Sequence, residues 1–334
     1  MSYPKLNLIM SNASVENNQE KRVLITGVTG GIGKHLAAYL LSQDLEVYSL
    51  QRKLPDNNSS SVMASQFIQI GDLLNSESLS IALSEIRPTH IYHLAGCIDR
   101  DVNEGRLNYE TNVTGTIRLL NAIRNVGILP KVLVTSSSAV YGGSTHLPIK
   151  EETELRPLTH YAVSKVSQEM VALKYYLTYG LPIVRVRTFN VIGPDLSPSL
   201  LCSALAQQIA AAERTREGSI QIGNISPHRD YTDVRDVARA YYLLMQSGKP
   251  GEVYNVCSMR THSVKECLDV LVAKSRVPVS IEIDRSRYRD SEIEIQVGDS
   301  TKITNLVGWK PNIPFEQSLE DLLNSWRVKL QGEK

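Results

Sequence analysis

Short apolar segments alternate with amphipathic segments along most of the chain, and this alternation predicts an α/β architecture. The apolar segments are rich in β-branched residues, as buried strands are, and the segments between them repeat apolar residues at helical spacing. Strands are predicted near residues 22–26, 46–50, 67–70, 90–94, 131–135, 183–187 and 252–256. Helices are predicted near 33–42, 76–86, 108–125 and 159–178. Strands that alternate with helices form a parallel sheet covered on both faces.

The pattern changes after the sixth predicted strand, where Pro194 and Pro198 interrupt the chain. We expect the chain to leave the sheet there for a smaller lobe and to return over 235–257, where Val237, Tyr241 and Leu244 recur at helical spacing. Ligand is expected across the carboxyl ends of the strands, between the two parts. The predicted division is a mobile Asn- and Ser-rich tail at 1–20, a sheet domain at 21–190 and 235–257, and a lobe at 191–234 and 258–330.

A glycine-rich turn joins the first predicted strand to the first predicted helix. It reads Gly27-Val28-Thr29-Gly30-Gly31-Ile32-Gly33. Glycines in this position allow a tight turn and a close approach of the backbone to a pyrophosphate, which then sits at the helix N-terminus. The strand, turn and helix together predict a dinucleotide-binding domain of the Rossmann type, with a doubly wound parallel sheet.

The end of the second predicted strand favours NADP(H) over NAD(H). Folds of this type that use NAD usually carry a carboxylate there, which binds the ribose 2′-hydroxyl. This chain has Gln51-Arg52-Lys53 at that point and no acidic residue before Asp56. Because two cations suit a 2′-phosphate, we predict that Arg52 binds NADP(H).

Tyr161 and Lys165 are predicted to lie on one face of a helix, since residues i and i+4 share a face. A neighbouring ammonium is expected to lower the pKa of the tyrosine from about 10. A tyrosine tuned in this way can exchange a proton with a carbonyl or hydroxyl oxygen. The Ser136-Ser137-Ser138 run ends an earlier predicted strand, and a serine hydroxyl there can hold that oxygen.

These motifs resemble those of the extended short-chain dehydrogenases/reductases that act on nucleotide-activated sugars. The resemblance spans roughly residues 22–327 and rests on Gly27-x-x-Gly30-x-x-Gly33, Gly71-Asp72-Leu73, His93-Leu94-Ala95-Gly96, Asn112-Val113-x-Gly115-Thr116, Ser136 to Gly142 and Tyr161-x-x-x-Lys165. It implies that Asp72 and Leu73 flank the adenine and that Leu94, Ala95 and Gly96 line the cofactor cleft. It also implies that Ser137 and Tyr161 are catalytic, and that Lys165 both tunes Tyr161 and holds the nicotinamide ribose.

The second half of the chain is similar to the branch of GDP-mannose dehydratases and GDP-4-keto-6-deoxymannose reductases. The matching segments are 187–194, 223–237, 248–256 and 298–311. The resemblance implies that Asn190 contacts the sugar nucleotide and that Arg229 and Arg289 bind the diphosphate. A guanidinium suits that role because it binds phosphate in a bidentate fork.

One departure from this branch bears on the reaction. Its dehydratases carry a glutamate two residues after the catalytic hydroxyl, and this chain has Ala139 there, which cannot transfer a proton. The resemblance therefore favours NADP(H)-dependent reduction of a nucleotide-linked 4-keto-6-deoxy sugar, most simply GDP-4-keto-6-deoxy-D-mannose. A nucleotide-sugar 4-epimerase, a 4,6-dehydratase and a non-catalytic NADP-binding sensor or scaffold stay open as alternatives.

Composition narrows the class of protein further. The formal net charge of +1 in 334 residues argues against a nucleic-acid surface, and no apolar stretch reaches the ~20 residues of a membrane span. The first 20 residues lack the features of a signal peptide. The four cysteines and seven histidines show no metal-ligand spacing, so we expect no metal site. Scattered free thiols suit a reducing, cytoplasmic location.

The family resemblance also implies a homodimer built on the helices at 108–125 and 159–178.

Overall fold

The computed structural model of the chain describes residues 21–53, 67–99, 103–216, 218–288 and 293–332. The strands are β1 (Arg22–Thr26), β2 (Glu46–Gln51), β3 (Phe67–Ile70), β4 (His90–His93), β5 (Lys131–Ser137), β6 (Ile183–Thr188), β7 (Asn190–Ile192), β8 (Ser219–Ile222), β9 (His228–Asp233), β10 (Val253–Val256), β11 (Thr261–Ser263), β12 (Ser280–Ile283) and β13 (Ile295–Gln296). The helices are α1 (Gly31–Leu41), α2 (Ser76–Ile86), α3 (Arg106–Asn108), α4 (Gly115–Val126), α5 (His160–Tyr179), α6 (Leu201–Thr215), α7 (Val234–Ser247), α8 (Val264–Ala273), α9 (Thr301–Val307) and α10 (Phe315–Gly332). The tail predicted at 1–20 lies outside the described residues.

The main sheet has seven strands in the order β10-β6-β5-β4-β1-β2-β3, and every neighbouring pair is parallel. This confirms the predicted fold class. Strand β10 pairs with β6 at the edge of this sheet, so the chain comes back to the sheet after α7. From β1 the sheet extends in both directions, with β2 and β3 on one side and β4, β5, β6 and β10 on the other. The order in which the chain adds strands therefore reverses between β1 and β4.

Helices cover both faces of the main sheet. On one face, α1 and α7 pack together over apolar residues that include Leu36, Leu40, Val237 and Tyr241. On the other face, α2, α4 and α5 bury a second apolar cluster against the strands. Burial on both faces explains why these strands read as continuous apolar runs rather than as alternating ones.

The elements outside the main sheet and its covering helices, called the smaller part below, include strands and helices that the sequence pattern did not predict. Strands β7, β11 and β13 all pair with β9, and α6, α8 and α10 enclose a separate apolar core. These strands have two to six residues each, which is too short for a clear alternation of apolar and polar positions.

The predicted boundary between the domain and the lobe stays a prediction. Ile303 of α9 and the following Trp309 pack in the core of the main sheet, although they come late in the chain. Trp309 Nε1 donates to the Asp236 carbonyl on α7 at 3.1 Å. The segment at 299–309 is therefore part of the packing that supports the main sheet. No helix within the described ranges is long and apolar enough to cross a membrane.

Candidate active site

The glycine turn lies at the carboxyl ends of β1 and β4, where the strand order reverses. Gly27 has φ +79°, and a Cβ there would lie 2.6 Å from the Ala95 backbone nitrogen. A Cβ on Gly33 would lie 2.3 Å from the Gly27 carbonyl oxygen. Only glycine fits these two contacts. In open α/β sheets this reversal point is where ligands bind.

The residues predicted to bind the cofactor converge on this edge. Gly30, Gly31 and Ile32 belong to the turn and the first turn of α1, whose backbone N–H groups point at the same edge. The Leu94-Ala95-Gly96 segment follows β4 directly and runs beside the turn, as the contact between Gly27 and Ala95 indicates. This backbone cradle has the shape and the N–H donors that a pyrophosphate needs.

Three further predicted cofactor residues follow the next two strands along the sheet. Arg52 is exposed immediately after β2. Asp72 and Leu73 follow β3; the Asp72 carboxylate accepts from the Leu74 backbone N–H at 2.9 Å, and Leu73 is buried. Strand β2 lies between β1 and β3, so all three residues line the side of the sheet beyond the glycine turn.

On the opposite side of the turn, Ser137 ends β5. Its hydroxyl oxygen accepts from the Ala139 backbone N–H at 3.2 Å, which leaves the hydroxyl proton available to another acceptor. Tyr161 lies in the first turn of α5, which begins at the cap residue Thr159. Ser137 and Tyr161 are within hydrogen-bond reach of each other, so the sequence prediction that they meet agrees with the geometry.

The pKa of Tyr161 differs from the expectation. Burial raises the pKa of its phenol above 10, and the hydrogen bond with Ser137 offsets only part of that change. The expected lowering by Lys165 is wrong for this structure because Lys165 Nζ instead donates to the Thr135 carbonyl at 2.7 Å and to Gln168 Oε1 at 2.6 Å. A phenol with a raised pKa stays protonated at neutral pH, so Tyr161 carries a proton that it can transfer.

Lys165 is 4% exposed and lies on α5 one turn after Tyr161. Burial lowers the pKa of Lys165 from 10.5 to about 8, and the Glu169 carboxylate partly offsets this effect. A Cβ on Gly96 would lie 3.7 Å from Lys165 Nζ. The ammonium group therefore faces the same cleft as the segment after β4.

Asn112 was part of a recognised motif, but the sequence did not assign it a role. The helix predicted over 108–125 is interrupted: a π-helical turn at Tyr109–Thr114 separates α3 from α4. Asn112 lies in that turn, donates to the Cys97 carbonyl at 3.0 Å and to Ser164 Oγ at 2.9 Å, and accepts from the Cys97 N–H at 2.8 Å. Such turns are frequent at functional sites, and helical periodicity alone does not reveal them.

Two of the residues predicted to bind substrate, Asn190 and Arg229, lie on strands β7 and β9, which pair with each other. Asn190 begins β7, and its buried Nδ2 has no hydrogen-bond partner among the described residues. Buried side-chain donors are normally paired, so this amide is available to a ligand. Arg229 lies on β9 and donates to the His228 carbonyl at 2.9 Å. Arg289 lies outside the described residues.

The segment from Ser137 to Tyr141 forms a single tight turn after β5, called the serine turn below. A cavity of about 590 Å³ adjoins it. Its lining residues come from the segment after Ser137 and from the segment that leads into β13, and they are Gly143, Ser144, Thr145, Leu147, Leu158, Ile293, Glu294 and Ile295. Gln296 of β13 links the two sides, because its side chain exchanges hydrogen bonds with Ser138 at 3.2 and 3.1 Å. The volume lies in the range of ligand pockets in proteins. Among the residues described, no cluster of His, Cys, Asp or Glu is arranged to hold a metal ion.

Comparison with known families agrees with this geometry. The family model for GDP-mannose 4,6 dehydratase matches residues 24–322. The GDP-6-deoxy-D-mannose reductase of Pseudomonas aeruginosa is 32% identical over 318 residues, which cover 94% of this chain and 99% of that protein.

Two solved structures show how far the similarity extends in three dimensions. RMD from Pseudomonas aeruginosa, complexed with NADPH, is 32% identical with a TM-score of 0.80, and the match covers 92% of this chain and 99% of that one. UDP-glucose 4-epimerase from Thermus thermophilus, complexed with NAD, is 28% identical with a TM-score of 0.81 over the same shares. Over 92% of its length, this chain thus has the same fold as these two proteins.

Proposed function

Since the chain belongs to the GDP-mannose 4,6-dehydratase family, we propose that it is an NADPH-dependent reductase of the extended short-chain dehydrogenase/reductase type. Its substrate would be a nucleotide-linked 4-keto-6-deoxy sugar, most simply GDP-4-keto-6-deoxy-D-mannose. Two comparisons support this choice: the match to the Pseudomonas aeruginosa protein named GDP-6-deoxy-D-mannose reductase, and the match to the structure of Pseudomonas aeruginosa RMD with NADPH.

The described residues fit a bound NADPH. The close contacts at Gly27 and Gly33 leave a cradle for the pyrophosphate at the N-terminus of α1. The exposed guanidinium of Arg52 suits the 2′-phosphate, and Asp72 and Leu73 are proposed to flank the adenine. When bound, NADPH would supply the hydride that the keto carbon accepts.

Ser137, Tyr161 and Lys165 are the residues we propose for the proton side of the reaction. The Tyr161 phenol, protonated at neutral pH, would donate its proton to the developing alkoxide oxygen. The Ser137 hydroxyl, whose oxygen accepts from the Ala139 N–H, would donate its proton to that oxygen and hold it in place. Lys165, whose Nζ is held by the Thr135 carbonyl and Gln168 Oε1, would orient the nicotinamide ribose.

The observation that carries the choice of reduction is the serine turn itself. Ala139 lies two residues after Ser137; its backbone N–H donates to the Ser137 hydroxyl, its carbonyl accepts from the Gly142 N–H, and its side chain is a methyl group. Elimination of water would require a proton-transferring side chain at this position, and alanine has none. Reduction requires only a hydride, a proton donor and a hydrogen bond to the oxygen, which Tyr161 and Ser137 can provide.

Substrate binding is proposed for Asn190, Arg229 and Arg289. The unpaired Asn190 amide suits a sugar or phosphate oxygen, and the guanidinium groups suit the diphosphate. In this proposal residues 21–190 and 235–257 bind the cofactor, and residues 191–234 and 258–330 bind the nucleotide sugar.

We also propose that the protein is a cytoplasmic homodimer. All four cysteines, Cys97, Cys202, Cys257 and Cys267, are free thiols, which suits a reducing compartment. Helix α5 exposes Val163, Met170 and Leu177 at intervals of seven residues, so that they form one apolar line along the helix. A line of this kind suits contact with the same helix of a second copy.

The proposed function is tested by following NADPH oxidation with GDP-4-keto-6-deoxy-D-mannose generated in the assay, with the product identified by NMR. We expect one NADPH to be consumed per GDP-6-deoxyhexose formed. A 4-epimerase would interconvert a nucleotide sugar without net NADPH consumption, and a 4,6-dehydratase would convert GDP-mannose itself. A folded protein that binds NADPH and performs none of these reactions would be the sensor.

A further inference from the structure

A buried chain of hydrogen bonds runs from the strand before the glycine turn to Lys165. Thr26 Oγ1 of β1 lies 2.8 Å from His93 Nδ1, and His93 Nε2 lies 2.8 Å from Thr116 Oγ1 of α4. Gln168 Nε2 donates to Thr116 Oγ1 at 2.9 Å, and Lys165 Nζ donates to Gln168 Oε1 at 2.6 Å. Thr26, His93, Thr116, Gln168 and Lys165 are all 4% exposed or less.

The geometry determines which atom of each side chain carries the proton. Thr116 Oγ1 donates to the Asn112 carbonyl at 2.7 Å, so its single proton is already used. It must then accept from both Gln168 Nε2 and His93 Nε2, which places the His93 proton on Nε2. His93 Nδ1 is left to accept from the Thr26 hydroxyl, and Thr26 Oγ1 accepts from the Ala95 N–H at 3.2 Å.

This arrangement also requires a neutral His93. A protonated imidazole would carry a proton on Nδ1 as well, where the Thr26 hydroxyl is the donor. Burial, together with the nearby Lys165, lowers the pKa of His93 to about 3, in agreement with the neutral form. The Gln168 amide is therefore oriented in one way only: its nitrogen faces Thr116 and its oxygen faces Lys165.

Few other groups compete for Lys165. The titratable groups that face it are Glu169 and Tyr161 on its own helix and His93 on β4. The Glu169 carboxylate accepts from Arg187 at 2.9 and 2.8 Å, and His93 is neutral. Among the described residues, the acceptors in contact with Lys165 Nζ are thus the Thr135 carbonyl and the Gln168 amide oxygen, and neither carries a formal charge.

We propose that Gln168 is a positioning residue for Lys165. Its oriented amide holds Nζ at the end of β5 and sets how readily the ammonium group gives up a proton. A carboxylate at this position would stabilise the ammonium far more strongly, and an apolar side chain would leave it with the Thr135 carbonyl alone. Any consequence for turnover rests on the proposed function, in which Lys165 has a role. The contact between Gln168 and Lys165 is independent of that function, so it can be tested without cofactor or substrate.

The test measures how unfolding free energy depends on pH in the protein without ligand. The pKa of Lys165 is about 8 in the folded state against 10.5 as its ordinary value. Between these values the unfolded chain binds more protons, so the contribution of Lys165 makes stability rise as pH increases from about 8 to 10.5. The difference in urea unfolding between the wild type and Lys165→Met, measured from pH 7 to 10.5, isolates this rise.

Gln168→Glu should move the start of the rise upward by at least about one pH unit and shrink its size, because a carboxylate in contact raises a lysine pKa by roughly 1–3 units. Gln168→Met, similar in volume, should move the start below pH 8. Each variant is compared with its own Lys165→Met double mutant. Gln208→Glu, which makes the same chemical change on α6, should leave the rise due to Lys165 unchanged.

A purely structural role for Gln168 predicts a different result. The effect of each substitution on the free energy of unfolding would then be the same at every pH, and the rise assigned to Lys165 would begin at the same pH as in the wild type. That result would overturn the proposal. If Gln168→Met does not fold, Gln168→Glu still decides the question. A protein that shows the shift but does not reduce the sugar would retain this inference and refute the proposed function.

Discussion

At the scale of single residues, the chemistry depends on how much water each polar group has lost. Tyr161 and Lys165 are neighbours on one helix, yet burial acts on them in opposite directions: it raises the pKa of the phenol and lowers that of the ammonium. Each shift favours the neutral form. A protonated tyrosine beside a serine hydroxyl is prepared to donate a proton, which is the direction that a reductase requires.

Tyr161→Phe removes the proposed proton donor while keeping the ring in place. We expect kcat for reduction to fall by about 10²–10⁴-fold, because loss of a general acid typically costs that much. The dissociation constant for NADPH, measured by fluorescence titration, should stay within about twofold. Tyr179→Phe, at the end of the same helix, is the control and should leave kcat unchanged. Near-normal turnover in Tyr161→Phe would exclude the phenol as the donor.

Arg52→Ala tests the choice of cofactor. A guanidinium bound to phosphate contributes about 1.5–3 kcal/mol, so the Kd for NADPH should rise by roughly 10–100-fold. The Kd for NADH should barely change, since NADH lacks the 2′-phosphate. Calorimetric titration of both cofactors measures the ratio, and Arg276→Ala, an exposed arginine in the smaller part, is the matched control. Equal losses for NADH and NADPH would show that Arg52 does not contact the phosphate.

At the scale of elements, a buried ion pair joins the helix of Tyr161 to the strand beside Ser137. Arg187 of β6 donates to both carboxylate oxygens of Glu169 on α5 and also donates to the Tyr141 hydroxyl at 3.0 Å. Tyr141 closes the turn that Ser137 begins, and its hydroxyl donates to Asn255 of β10 at 2.7 Å. The pair therefore holds the serine turn and the tyrosine helix in one arrangement.

Breaking this pair from one side should be costly. Arg187→Met leaves the Glu169 carboxylate buried with only the more distant Arg185, at 3.8 Å, and we expect a loss of about 3–5 kcal/mol in unfolding free energy. Glu169→Leu should cost a similar amount, and the double mutant should cost less than the sum, which urea denaturation of all four proteins measures. Additive losses would contradict a direct pair. The exposed pair of Arg156 and Glu154 is the control, and Arg156→Ala should cost less than about 1 kcal/mol.

At the scale of the whole molecule, the proposed dimer rests on apolar surface that the fold leaves exposed. Val163, Met170 and Leu177 on α5 are 37%, 42% and 71% exposed, although α5 also packs against α4 and the sheet. A depression of about 610 Å³ lies along the same helix, lined by residues that include Ile117, Met170 and Lys174. Burial of this line would remove it from water and stabilise a dimer.

Met170→Glu places a charge in the middle of this line. We expect the proposed dimer to dissociate, with the apparent mass in light scattering after size exclusion falling by half, because an unpaired charge is expensive to bury at an interface. The thermal unfolding of the monomer should change little, since the position is exposed. Val328→Glu on α10, also an exposed apolar position, is the control and should stay dimeric. Dissociation by the control variant but not by Met170→Glu would move the interface to another surface.

Much of the fold follows from local sequence signals. The strands of the main sheet are continuous apolar runs because both faces are covered, and the glycine turn has one workable geometry at Gly27 and Gly33. Helix α5 begins at a capping threonine and ends at a glycine in the left-handed region, so its limits could be predicted within a residue or two. The spacing of Tyr161 and Lys165 on it follows from helical geometry alone.

Other features depend on contacts between residues far apart in the chain. The π-helical turn at Asn112, the pairing of β7, β11 and β13 with β9, and the packing of Trp309 under the main sheet have no local signal. The pKa of Tyr161 was predicted with the wrong sign because helical spacing shows a neighbouring lysine but not burial, nor the carbonyl and amide that hold Lys165. Local sequence therefore specifies which chemical groups are available and on which elements they lie. The solvation of those groups and their partners arise from long-range packing, which no local pattern reveals.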